Sequence, residues 1–454
     1  MCLKHLSQMQ VFLLTLITIL WIVQSSSYVV AEFCAEDLTT EEEIAFTCSC
    51  HSKNETIIIQ DLRISSGNKH LTLPVNTTRL QVGQCQAVHL SGPTLISLSN
   101  IHILQLHETD VLHVSYNFFL QYETQLQTLQ LSSSGFAPMQ DALIIHAHKL
   151  THILFDNITW DRELNLLLQT DENQLQEVLA ITNSKIKTLG EINIASRHVK
   201  KFVLQSNVIG KVLTSALIQD SQETVIENNS IDSLEFLSFD FSTHNFTFKG
   251  NTIKSLAIHS LVINEANTIT ILNNIFYHIE RYGLAWLHLS PEQGYLLFSG
   301  NHFYAHEEGS LILLNFMPLN YKLEIENNVL HTVTCNCSTM MLLNSMTIDS
   351  TMREPQVVYE LFENSTFCSD MKNNTQRLNT ICGKNFMDKE LVILFLIIVG
   401  VIAGLFSVLL LKVKKNMKTR NVALGTEETE IMLKSPVKKK GVSNGVSNYA
   451  FVEF

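Results

Sequence analysis

Proline is scarce in this 454-residue chain, with 7 residues, and charged side chains make up only 16%. With 46% apolar residues, so little charge excludes a disordered chain, which needs the opposite balance. Only 17 glycines exclude a collagen. There is no excess of cations: 31 Lys+Arg face 43 Asp+Glu, a net charge of −12, so no nucleic-acid partner is expected. No Gly-x-Ser-x-Gly, His-Glu-x-x-His or phosphate-loop motif occurs. The chain therefore reads as a non-enzyme, with no catalytic, cofactor-binding or metal residues assigned. Cysteine, finally, is missing from the whole stretch 86–334.

What is present sorts first by position. Residues 1–31 have the form of a secretory signal: Lys4 and His5, then the 13-residue apolar run Val11–Val23, then small residues up to Ala31. A second run, Leu391–Leu411, has 21 residues and no charge, enough for about 31 Å of helix. Lys412, Lys414, Lys415, Lys418 and Arg420 follow it, which places the C-terminal side in the cytoplasm. The expectation is a type I single-pass protein of the plasma membrane, N-terminus outside, with a transmembrane helix at 389–412 and a tail at 413–454.

Eight Asn-x-Ser/Thr sequons agree with this topology: Asn54, Asn76, Asn157, Asn228, Asn245, Asn336, Asn364 and Asn373 all lie between signal and anchor. Divided this way, the tail is net +5 (nine Lys+Arg, four Asp+Glu) and the ectodomain net −18 (21 against 39). A basic tail is attracted to the anionic leaflet. It ends in two docking patterns. Tyr449-Ala-Phe-Val452 has the form read by clathrin adaptors, and the terminus through Val452 to Phe454 has that of a PDZ ligand.

Cys2 leaves with the signal. The other eight form two groups: Cys34, Cys48, Cys50 and Cys85, then Cys335, Cys337, Cys368 and Cys382. An even number in a secreted segment predicts disulfides, with connectivity open. Two locked ends around a cysteine-free body suit a repeat protein, whose terminal repeats need caps. The expected order is a cap with first coils at 32–85, repeats at 86–334, and a cap and stalk at 335–388.

The body repeats. Ile226-Glu-Asn-Asn229-Ser-Ile231, Phe248-Lys-Gly-Asn251-Thr-Ile253, Ile271-Leu-Asn-Asn274-Ile-Phe276, Phe298-Ser-Gly-Asn301-His-Phe303 and Ile325-Glu-Asn-Asn328-Val-Leu330 share one pattern, at Asn spacings of 22, 23, 27 and 27. Weaker copies lie at Asn207, Asn183 and Asn157. A period in the twenties means a solenoid. A leucine-rich repeat would also need Leu eight residues before each Asn, and Asn229, Asn251, Asn274 and Asn328 have Ser221, Thr243, Ala266 and Asn320 there. Alternation such as Phe246-Thr-Phe248 is strand-like. These residues resemble the right-handed parallel β-helix repeat of the pectate-lyase-like superfamily, over roughly 50–335. That resemblance implies an all-β solenoid with rows of inward apolar residues. It also implies a turn ladder of Asn207, Asn229, Asn251, Asn274, Asn301 and Asn328, and about 11–12 coils in a rod of about 55 Å. A leucine-rich repeat receptor is the alternative fold. Asn157 is both a ladder candidate and a sequon, and an inward residue could not be glycosylated.

β-Helix relatives include polysaccharide lyases and hydrolases, which cluster carboxylates with basic residues. Here Asp232, Glu235 and Asp240 show no evident partner in sequence. His146 and His148 share a strand face, and alternation turns Ile145 and Ala147 inward, so the histidines are expected to face solvent. The function expected is a glycosylated receptor or adhesion-type protein that binds an extracellular protein or glycan. A membrane-tethered polysaccharide lyase or hydrolase is the alternative.

Overall fold

The computed structural model describes residues 33–38, 44–50, 54–60, 63–91, 100–115, 125–133, 135–138, 142–169, 176–194, 199–214, 217–290, 294–311, 322–347, 355–381, 397–402 and 404–411. The expected signal, the basic tail with Tyr449, Val452 and Phe454, and Cys382 lie outside these residues. The chain divides into two compact units, Met1–Gly383 and Lys384–Phe454.

The first unit is a right-handed β-solenoid of about eight turns. Strand-forming residues alternate in and out: Phe246, Phe248, Ile269, Ile271, Leu296 and Phe298 are fully buried, while Thr247 and Thr270 between them are not. The coils from residue 142 onward have three faces. The first carries parallel strands such as Thr268–Leu272, in register with Asn245–Lys249 before it and Tyr295–Ser299 after it. The second carries Lys185–Leu189, Val208–Val212, Ser230–Leu234, Thr252–Leu256, Ile275–Ile279, His302–His306 and Asn328–His331. The third runs from Ala142–His146 to Trp286–Leu289. Strands on three faces rule out the leucine-rich alternative, which would line one side only. The positions that lacked Leu are explained by the corner between third and first faces. Ser221, Thr243 and Ala266 are buried there, and the Ser221 and Thr224 hydroxyls hydrogen-bond at 2.6 Å.

The expected 11–12 coils are matched on the first face alone. Twelve rungs stack there from Ile44–Ser49 to Lys322–Glu326. Among the described residues the third face has seven strands, from Ala142–His146 to Trp286–Leu289. Before residue 142 the second-face strands Thr56–Gln60, Ala87–Leu90, Val111–Val114 and Phe136–Pro138 form a separate sheet, and no third-face strand occurs among the described residues there. Inside the regular coils, phenylalanines stack: Phe246 and Phe248 of one strand have ring centroids 6.2 Å apart, and from turn to turn Phe248–Phe276 and Phe276–Phe303 are 6.4 and 5.5 Å apart.

Both ends are closed as the cysteine groups imply. Cys34–Leu38 runs antiparallel to Ile44–Ser49, clasped by Cys34–Cys48, and Cys50–Cys85 ties the first rung to the second. Cys335–Cys368 joins the last coil to the strand Thr366–Ser369. Cys337 is also disulfide-bonded. The C-terminal cap departs from the all-β expectation. It contains helices α1 (Cys337–Thr347), α2 (Pro355–Ser365) and α3 (Leu378–Ile381). The run Met340-Met341-Leu342-Leu343 is made of good helix formers and carries no ladder Asn. Phe362 of α2 is fully buried, edge-on to Phe298 at 5.7 Å, so α2 covers the open end of the core.

In the second unit, residues 397–402 and 404–411 of the expected membrane span are helical, with exposed side chains. Among the described residues no helix is long and apolar enough to cross a membrane. Residues 389–396 of the expected span are outside them.

Candidate functional site

The first corner, between first and second faces, holds the ladder. All six predicted asparagines are buried to 2% exposure or less. In each rung one Oδ1 takes two protons from the coil before. The Asn229 N–H donates to Asn251 Oδ1 at 2.9 Å and Asn229 Nδ2 donates to the same oxygen at 3.0 Å. The remaining Nδ2 proton of Asn251 goes back to the Ile226 carbonyl at 2.8 Å. The pattern repeats through Asn274, Asn301 and Asn328. At its start the Ser184 N–H donates to Asn207 Oδ1, and Ser184 Oγ accepts from the Ile158 N–H.

Asn183 and Asn157 are not rungs. They sit one residue earlier, in a left-handed position shared by Ser206, Asn228, Gly250, Asn273, Gly300 and Asn327, at φ of 51° to 66°. Gly and Asn tolerate that conformation better than other residues, and Ser206 alone among the eight is neither. From Asn228 onward Asn and Gly alternate, because each Asn Oδ1 lies where a Cβ on the next glycine would be, 2.4 Å away at Gly250 and 2.1 Å at Gly300. The left-handed asparagines are exposed, so Asn157 faces solvent and the clash between ladder and sequon disappears. The other seven sequon asparagines are exposed as well.

The carboxylates of the second and third faces do have partners, each on a neighbouring coil. Asp232 pairs with Lys254 at 2.6 Å, Glu235 with Lys211 at 3.0 Å, and Asp240 accepts from Asn264 Nδ2 at 3.0 Å. A search at one coil period, 22 to 24 residues away, finds each of them in the sequence. The Lys211 hydrogen bond holds Glu235 below its ordinary range, whereas burial raises Asp240. Among the described residues no three His, Cys, Asp or Glu side chains are grouped to hold a metal. Ile145 and Ala147 are fully buried; His146 and His148 are half-buried and His152 is exposed.

Sequence reasoning missed the second corner, between second and third faces. Leu237, His259, Tyr282 and Gly309 stack there in left-handed conformation, at φ of 49°, 50°, 60° and 73°. Each backbone N–H donates to the next coil's carbonyl: Leu237 to His259, His259 to Tyr282, Tyr282 to Gly309. The rungs share a backbone shape and no side-chain type, so no motif announces them. Their rings, with those of neighbours, form an outward cluster. His259 stacks on Tyr282 at 5.8 Å and meets Trp286 edge-on at 5.2 Å and Phe236 at 6.2 Å. Trp286 stacks on His288 and the Arg281 guanidinium lies 4.7 Å over Tyr282. Burial lowers the pKa of both His259 and His288. On the adjoining second face, Tyr277, Tyr304 and His331 stack in a column, and His302 Nδ1 lies 3.0 Å from His331 Nε2.

Comparison with known proteins bears on the fold. No curated protein matches the chain. No solved structure matches it either. A family model, the right-handed β-helix region, matches residues 166–330, the stretch that holds the six-asparagine ladder and the ring cluster of the second corner.

Proposed function

We propose that this is a glycosylated, single-pass cell-surface protein of the plasma membrane whose β-solenoid ectodomain binds an extracellular partner, as a receptor or adhesion molecule does. The observation that carries the reading is the placement of the sequons. All eight asparagines are exposed, and the two on the ladder corner, Asn157 and Asn228, occupy the outward left-handed position beside a buried rung. The disulfides at both ends support an oxidising compartment. The uncharged run Leu391–Leu411, with its following cations, supplies the anchor, and the tail offers its terminal motifs to adaptor or PDZ proteins. The chain acts by binding and not by catalysis. The lyase or hydrolase alternative rests on fold analogy alone.

The test is topological. The full chain is expressed in eukaryotic cells with one epitope after residue 31 and another at the C-terminus. The first epitope is expected to be reached on intact cells, the second only after permeabilisation, and glycosidase should shift the mass. An N-terminal epitope hidden on intact cells, or no shift, refutes the reading.

A further inference from the structure

The sequons mark where a partner does not sit. Within the regular coils, Asn157 and Asn228 lie on the first corner and Asn245 begins a first-face strand, while Asn54, Asn76, Asn336, Asn364 and Asn373 lie in or beside the end regions. No sequon falls between residues 229 and 244 or between 246 and 335. The second corner and second face between residues 246 and 335 therefore offer no N-glycan acceptor, and the next one, Asn336, follows the last second-face strand. Exposed apolar side chains gather there: Phe236 is 45% exposed, Ile258 37% and Trp286 37%, beside the rings of His259 and Tyr282.

Three features qualify this patch as an interface. Its residues are of the kind that dominates protein interfaces, Trp, Tyr, Phe and Arg. The corner is held by the stacked left-handed backbone of His259 and Tyr282, so its rings lose little freedom on binding. Its rim is acidic, and the acids are fixed. Glu280 Oε2 accepts the Ile258 N–H at 3.0 Å and Glu307 Oε2 accepts the Arg281 N–H at 3.1 Å, with Glu308 exposed beside them. Beside these three carboxylates Arg281 lies over Tyr282, and His278 Nε2 is 3.9 Å from Glu307 Oε1.

We infer that this corner, Phe236, Ile258, His259, Tyr282 and Trp286 within the rim of Glu280, Glu307 and Glu308, docks an extracellular protein that presents an apolar knob within a Lys/Arg-rich rim. The inference rests on the cell-surface reading above. Charge decides the partner class. A second copy of this chain would set one acidic rim against another, which is repulsive, whereas a basic rim is steered in and held.

The experiment places a photo-crosslinking amino acid at Phe236, at Trp286 or, as control, at Lys200 on the first face of the full chain, displayed on cells of its own source. The expected result is one cross-linked protein band from Phe236 and Trp286, none from Lys200, and loss of the band in high salt. Two substitutions refine it. Ile258→Asn completes an Asn-x-Ser sequon with Ser260 and sets a glycan on the patch, so the band should vanish while surface display is kept. Glu280→Gln with Glu307→Gln preserves the hydrogen-bond acceptors and removes two charges, so the band should weaken severalfold. A band from Lys200 alone overturns this inference and leaves the cell-surface binder standing. A band of twice the chain's own mass makes the occupant a second copy. A band erased by glycosidase treatment of the partner makes it a glycan. Either of these overturns the inference too. No band from any position counts against both readings.

Discussion

Asn251→Ala tests the ladder directly. The substitution removes the acceptor of the Asn229 N–H and of one Asn229 Nδ2 proton, and the donor to the Ile226 carbonyl. All three groups are buried in the corner. A buried polar group left without its partner costs about 1–3 kcal/mol, so three amount to about 3–6 kcal/mol once partial relaxation is allowed. The control is Asn228→Ala, which touches no rung and costs about 1–2 kcal/mol for a Cβ residue without Asn's local compensation at φ 57°. Thermal unfolding of the secreted segment 32–388, followed by circular dichroism, should rank the first variant well below the second. Asn251→Asp sharpens the test, because it keeps the shape and removes the donors. Its carboxylate faces the Ile226 carbonyl and Asn274 Oδ1, which are both acceptors, so only the protonated form fits. Its folded pKa is therefore raised. The stability it retains is present in acid and lost as pH rises, and the gap to the parent protein should narrow on acidification. Equal losses for the two alanine variants, or an Asp gap that stays constant or widens in acid, would refute the ladder's energetic role.

Other outcomes follow from the same geometry. Cys335→Ser opens a bridge across 33 residues and should cost about 3–4 kcal/mol, read as early proteolysis of the C-terminal cap. Gly250→Ala should destabilise the fold through its φ of 65° and the approach of Asn228 Oδ1. In an Asn228→Gly background the loss should shrink by about 1 kcal/mol, a coupling measurable by a double-mutant cycle. Burial is the first cause that lowers the pKa of His89, His146, His259, His288, His302 and His331 from 6.5. A folded value below the unfolded one means that the unfolded chain binds protons more readily in that window. The unfolding midpoint should therefore hold above pH 6.5 and fall as pH drops through the folded values, while changing His302 and His331 together to Gln flattens that fall. Asn157→Gln and Asn228→Gln should each remove one glycan, seen as a step in mass.

Much of the solenoid was legible because its strongest signal is a side chain repeated at a fixed place. The six ladder asparagines carry the period in their identity, and each is where the pattern put it. The signal weakened where identity and role parted. At 183 and 184 the rung is Ser184 and the asparagine beside it is the left-handed residue, so reading by residue type lands one position early. At 157 and 158 the same shift turned an exposed asparagine into a false rung. The second corner was invisible for a deeper reason. Leu237, His259, Tyr282 and Gly309 are equivalent only in φ, and such a repeat leaves no letter to find. The paired carboxylates needed the coil period before their lysines could be recognised, since the partners sit 22 to 24 residues away and not on the same turn.

The ladder also has a direction, and this bears on how the protein is made. From Asn207 to Asn301 every rung sends its backbone N–H and one Nδ2 proton to the coil that is synthesised next, while its other Nδ2 proton reaches back. Asn229 must wait for Asn251, 22 residues later, before its N–H and one of its two Nδ2 protons leave water. At typical synthesis rates that wait is about 1–4 s per coil. The growing tip is thus always an open strand edge with unmet donors, able to pair with any other strand it encounters. Only when Thr366 comes to lie opposite Asn328, Phe362 covers Phe298 and Cys335 meets Cys368 is the last edge closed. The C-terminal cap is therefore the closing step of the stack: until the strand Thr366–Ser369 and Cys368 are in place, the finished coils still end in an exposed edge.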